Sequence, residues 1–320
     1  MYEYEKYLTT SESIKETLDK FGVAIIPNVL DEEECKKMTT GMFDFFEHIT
    51  SPWEKPFKIG DKSTWRELYK LMPMHSMLFQ HWKIGHSQHV WDVRQNPKVS
   101  NTFAKIWSCK PEELLVSFDG ASFHLPPENT NKGWFNKQWF HTDQSFLRND
   151  FECIQSWVTS LDVKEGDATL SFMEGSHLFH KDFAEHSGIK EKSDWYKLND
   201  DQINFFTEKG CETKRIKCPK GSLVLWDSRT IHCGVEALKG REKKNFRSII
   251  YLCMTPRSKC PVKDLEKKKK AFEEMRMTTH WPHKPKLFPK MPRTYGNAIP
   301  PVEDISPPVL TELGRKLAGF

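Results

Sequence analysis

A metal-binding constellation is the strongest chemical signal in this 320-residue chain. It begins with FHTD at 140–143. On a strand, where side chains alternate between faces, His141 and Asp143 project the same way. An imidazole beside a carboxylate fills two adjacent corners of a coordination sphere. The third must come from another strand, and His232 in LVLWDSRTIHCG, at the end of an apolar strand, is well placed. Two histidines and one carboxylate leave three positions open, an arrangement that suits non-haem iron(II) binding a co-substrate and O2. The bland alternative is a surface strand whose His and Asp are merely solvated, because a tripeptide pattern of this kind recurs by chance.

A cation follows at a suitable distance. Arg247 opens the apolar strand FRSIIYLCM, and burying it without an anionic partner carries a large desolvation cost. The C5 carboxylate of 2-oxoglutarate would be such a partner, through a two-pronged pair that lysine cannot match. A wet strand edge or a local Asp or Glu would also account for it. Arg241, in the polar KGREKKN turn, is the second candidate, with a solvated loop cation as its simpler explanation.

The elements that must position these groups read as follows. Ile14, Leu18 and Phe21 have helical spacing and Gly22 stops the helix; VAIIP at 23–27 is a short strand; Asp31 caps a second helix with Glu33 and Glu34 in its first turn. Residues 51–100 have no clear periodicity and read as helical turns and loops. From 111 the chain turns to short segments rich in Val, Ile, Phe, Trp and Thr: ELLVSFDGASFHL, KQWFHTD, CIQSWVTSLDV, ATLSFM, TKRIKC, SLVLWD and FRSIIYLCM. Residues 178–212 interrupt them with polar, helical sequence. A helix, VKDLEKKKKAFEEMRM, and a proline-rich tail close the chain, and the tail is expected to wrap the rest. The expected organisation is one catalytic domain over 1–320, with a helical region at 1–110, a β core at 111–256 and an extension at 257–320.

Composition narrows the class. The 48 basic and 44 acidic side chains nearly balance, so nucleic-acid binding is not expected. No run of about 18 apolar residues is present, so no membrane span is expected. The eight cysteines form no CxxC pair and the N-terminus lacks a basic-then-apolar pattern, which together fit a cytoplasmic or nuclear protein that is not secreted.

FHTDQ, CIQSWVTSLDVKEGDATLSFMEGSH, GSLVLWDSRTIHCG, the strand of Arg247 and the N-terminal LDKFGVAIIPNVLDEEEC together resemble the phytanoyl-CoA hydroxylase-like family of iron(II)/2-oxoglutarate-dependent oxygenases, over roughly 14–256. The resemblance implies a mainly β fold with helices: a double-stranded β-helix (jelly-roll, cupin-like) core with the metal at its open mouth. It implies His141, Asp143 and His232 as iron(II) ligands, Arg247 as the anchor of 2-oxoglutarate, and Trp157 as a wall of the co-substrate pocket or, equally, a core residue. It also implies a reaction with O2 that releases succinate and CO2 while hydroxylating a small-molecule or peptide substrate. Gly234 stands where several members carry a serine. Two other readings are a catalytically silent β-barrel binding module and a cupin-type enzyme using another metal.

Further residues have plainer explanations. His75, His81, His86 and His89 are loosely clustered without a carboxylate or cysteine partner, and more simply cover the barrel mouth. His177 and His180 fit structural hydrogen bonds. Asp119, His124, Trp139 and Arg229 flank pocket strands, with packing or loop bonding as the simpler role. The lysines at 267–270 read as a solvated helix face.

Overall fold

The computed structural model describes residues 1–71 and 77–320. In chain order its strands are β1 (Tyr2–Glu3), β2 (Val23–Ile26), β3 (Leu78–Phe79), β4 (Leu114–Val116), β5 (Ala121–His124), β6 (His141–Thr142), β7 (Ile154–Thr159), β8 (Thr169–Met173), β9 (Tyr196–Lys197), β10 (Thr213–Ile216), β11 (Leu223–Asp227), β12 (His232–Val235) and β13 (Arg247–Pro256). They form two sheets. The minor sheet runs β1-β10-β8-β12-β6-β9, and the major sheet runs β2-β11-β7-β13-β5-β3 with β4 also on β13. Pairing is antiparallel except between β1 and β10. This is the double-stranded β-helix architecture.

Alternation explains how the major sheet is buried on both sides. Leu223 and Leu225 of β11, Ile154 and Val158 of β7, and Ile250 and Leu252 of β13 join the N-terminal helices in one core. Their neighbours Val224, Trp226, Trp157 and Ile249 point the other way and meet Leu170 and Phe172 of the minor sheet. The helical layer includes α1 (Ile14–Phe21), stopped by Gly22 in the left-handed region at φ 75°, and α2 (Glu32–Ile49). At α2, Asp31 and Glu34 make a reciprocal capping box that satisfies otherwise orphaned backbone donors.

Several expectations need correction. ELLVSFDGASFHL is two strands, β4 and β5, broken at 117–120. The 178–212 stretch is not only helical. It supplies β9 to the edge of the minor sheet, while its Phe183, Leu198 and Phe206 cover that sheet's outer face against Cys233 and Val235. Lys268 is not on a solvated face: it is fully buried, its ammonium bonded to the Val116 carbonyl and lying 3.8 Å from the Phe118 ring centroid.

Candidate metal centre and cavity

His141 and His232 stand directly opposite each other on β6 and β12. Asp143 lies one residue beyond β6, and His232 begins β12 after a turn rather than ending the strand before it. The three side chains nevertheless converge, with one donor atom from each all within 4.8 Å of one another. Asp143 Oδ2 is 3.6 Å from His141 Nε2 and 3.3 Å from His232 Nε2.

The backbone fixes which nitrogen faces the centre. His141 Nδ1 donates to the Trp139 carbonyl at 3.3 Å and His232 Nδ1 to the Thr230 carbonyl at 2.9 Å. A carbonyl can only accept, so each Nε2 keeps a lone pair for a cation. Trp139 stacks on the His141 ring at 4.6 Å and 14°. Burial would raise the Asp143 carboxyl, but the imidazoles around it, His141 first and then His280, hold it well below its ordinary value. Burial and the neighbouring His141 push His232 down, favouring the neutral ring that can coordinate. Among the described residues no second metal-binding cluster is found.

The centre opens into a cavity of about 650 Å³ between the sheets. Arg247 and Trp157 line it from the major sheet. Arg247 is only 4% exposed, so the wet-edge explanation fails. Its Nε donates to Ser122 Oγ at 3.1 Å and one terminal nitrogen donates to the Ala168 carbonyl at 2.8 Å. The guanidinium lies 5.5 Å from the Trp157 ring. No carboxylate among the described residues pairs with it. Trp157 Nε1, Trp226 Nε1 and Gln155 Nε2 are buried donors without partners among the described residues, and all three residues line this cavity.

Arg241 is not solvated, and it does not line this cavity. Its side chain is 1% exposed, forked onto Glu128 at 2.7 and 2.8 Å and bonded to Asp167 at 2.7 Å.

Of the remaining residues singled out by sequence, Asp119 and Trp139 line the cavity. His124 is buried behind it, and burial first, then the nearby Arg247 charge, push its ring down to about 3. Arg229 pairs with Asp227 and donates to the Asn149 carbonyl. His177 bonds the Asp19 carbonyl, and His180 bonds Asn149 and the Gln144 carbonyl. His86 and His89 pack in the core; His75 lies outside the described residues. Sequence reading missed Gln155, which the two-residue period from Trp157 could have revealed. It also missed His280 and Trp281, brought to the cavity by the C-terminal segment without any local signal.

The donor set passes a simple test for iron. Two neutral imidazoles and a carboxylate, without thiolate, suit iron(II), and the uncompensated Arg247 with the orphaned indole N–H of Trp157 suits a dicarboxylate beside it.

Comparison with known proteins agrees with this architecture. A family model described as phytanoyl-CoA dioxygenase (PhyH) matches residues 18–236. Ava biosynthesis cluster protein O of Aspergillus versicolor is 28% identical over 291 residues, covering 86% of this chain and 89% of that protein. The crystal structure of hypothetical protein JW0805 from Escherichia coli superposes with a TM-score of 0.61 at 13% identity, covering 98% of this chain and 85% of that one. GlcNAc Inducible Gene 2 from Candida albicans gives 0.53 at 16% identity, covering 85% and 68%. The two structures bear on the fold alone, but the family model spans most of the chain and the order of its elements. This chain belongs to the phytanoyl-CoA dioxygenase family.

Proposed function

We propose that this protein is an iron(II)- and 2-oxoglutarate-dependent oxygenase that hydroxylates a small organic molecule. The observation carrying the reading is a charge mismatch across one cavity: a carboxylate flanked by two lone-pair-bearing imidazoles at one side, and a buried guanidinium without a carboxylate at the other.

His141, Asp143 and His232 would hold iron(II), and Arg247 would receive the distal carboxylate of 2-oxoglutarate. When bound, the metal and co-substrate activate O2, with release of succinate and CO2. The protein's own contribution is positioning. Ser122 and the Ala168 carbonyl fix the guanidinium plane, and Trp157 lies against it and offers an indole N–H to an acceptor in the cavity. Trp139, Trp157 and Trp226 line the space around the metal site and keep water out, which strengthens every charge interaction there. Asp143 fills the corner that a halide would need, which favours hydroxylation over halogenation. The likeness to a biosynthesis-cluster protein supports a small-molecule substrate over a peptide.

The test is succinate release with iron(II), 2-oxoglutarate and O2 across a panel of small aromatic and apolar metabolites. Wild type should release succinate, and His141→Ala or Asp143→Ala should lower release by about 1,000-fold or more while circular dichroism stays native. Wild-type-like release by either variant would remove the triad from the mechanism. Turnover with zinc or manganese in place of iron would favour the cupin-type alternative.

A further inference from the structure

The cavity has a second polar pole, which neither the metal site nor the co-substrate site uses. It is built on Asp119, in the 117–120 break between β4 and β5, and is covered by Thr279 and His280 of the C-terminal segment. Asp119 is 7% exposed. Its Oδ1 accepts from Ser117 Oγ at 2.8 Å and from Arg94 at 3.4 Å. Arg94 is fully buried on the protein side and directs its closer bonds to the main-chain oxygens of Gly85 and Asp119. Asp119 Oδ2 accepts from no described residue, yet the side chain lines the cavity. Beside it, His280 Nε2 and Thr279 Oγ1 are buried without partners among the described residues. Burial raises the Asp119 carboxyl above its ordinary value, against the opposing pull of Arg94, Ser117 and His280, and His280 lines the same cavity as Asp119 and Asp143.

Asp119 Oδ2 is therefore an acceptor that faces the cavity without a donor among the described residues, and covering it with a ligand is favourable only if that ligand supplies a hydrogen bond. The surroundings specify the rest of that ligand. Trp195, Trp281 and Phe288 line the cavity with aromatic surface, and the charged Asp194 and Lys286 beside them are paired with each other. We propose that Asp119 Oδ2 is the recognition point for an N–H or O–H donor on the substrate, and that the substrate is an aromatic or polycyclic molecule held between these rings with its reacting carbon toward the metal site. The inference rests on the oxygenase reading and names its substrate class. Arg94 and Ser117 hold the carboxylate in place, and Thr279 and His280 supply the second contact to the same polar group.

Calorimetry on the full chain, supplied anaerobically with iron(II) and 2-oxoglutarate, tests this without relying on turnover. The probes are 3-methylindole against 1,3-dimethylindole for an N–H donor, and 2-naphthol against 2-methoxynaphthalene for an O–H donor. Wild type should prefer the donor in at least one pair by about tenfold, the effect of one hydrogen bond to a charged group. Whichever pair shows the preference identifies the donor. In Asp119→Asn the same preference should shrink to about threefold or less, with the methylated probe bound as before. Equal binding within both pairs, or no binding of any probe to wild type, overturns the proposal. An undiminished preference in Asp119→Asn overturns the role of that residue. Because the wild-type comparison needs no variant, misfolding of Asp119→Asn would leave the test intact. A wild type that discriminates between probes but never releases succinate would sink the oxygenase reading and leave the recognition site standing.

Discussion

Two hollows of similar size, about 690 and 650 Å³, are each lined by an arginine with a buried side chain. The first is lined by Arg241 and lysines including Lys164, Lys220 and Lys239, and the second by Arg247 and the triad. The Arg241 guanidinium itself is neutralised within the protein. Glu128 and Asp167 take the guanidinium, Asn245 bonds Asp167, Lys220 reaches Glu32, and Lys164 reaches Asp162. Around Arg247 the charges do not close: among the described residues it has only a hydroxyl and a carbonyl, while Asp143 sits across the cavity between two imidazoles. Burial of an arginine therefore says little by itself. An arginine left unneutralised beside empty volume is the informative case, because a folded protein tolerates that cost only where a ligand offsets it.

The sharpest way to break this contrast is to remove each arginine. Arg247→Leu should raise the 2-oxoglutarate half-saturation by about 100-fold or more, the loss of a charge-assisted pair, with thermal stability held or raised. A titration of succinate release against 2-oxoglutarate reads this directly, and an unchanged requirement would place the anchor elsewhere. Arg241→Leu should do the reverse. Stranding Glu128 and Asp167 should lower stability by about 3 kcal/mol, at the low end because Glu128 is partly exposed, while the 2-oxoglutarate requirement of the folded protein stays unchanged. Urea denaturation measures it, and a shift in co-substrate affinity there would invert the comparison. The smallest effect is on pH. Although burial opposes it, Arg241 holds the Glu128 carboxyl below the ordinary 4.5. A depressed folded-state pKa stabilises above the unfolded value and loses that contribution as pH falls through the acid range. Wild type should thus lose stability more steeply than Arg241→Leu between about pH 5 and 3, and parallel acid limbs would argue that the Arg241 cluster contributes nothing through Glu128.

The contrast also marks how far the chain could be read. Both arginines stood in sequence as candidates, and the apolar strand after Arg247 against the polar turn around Arg241 ranked them. Sequence could not show that Arg241 is buried, since Glu128 and Asp167 are remote along the chain. Lys268 failed for the same reason: its helix has charged neighbours, and only docking against Val116 and Phe118 removed it from water. The expectation that the tail wraps the molecule holds, since Thr279 to Phe288 include cavity-lining residues, but its contribution of His280 and Trp281 had no local signature. Among the described residues no helix is long and apolar enough to cross a membrane.

Local physics wrote the helix stop at Gly22, the capping box at Asp31, the two-faced apolar strands and the His141/Asp143 spacing into the sequence, because each depends on neighbours within a few residues. Only tertiary structure decided that His232 would face His141 across a strand pair, that Arg247 would find no carboxylate, and that Asp119 would meet the C-terminal segment at the cavity. Those outcomes are set by which distant groups pack together, and desolvation is a property of the packed whole.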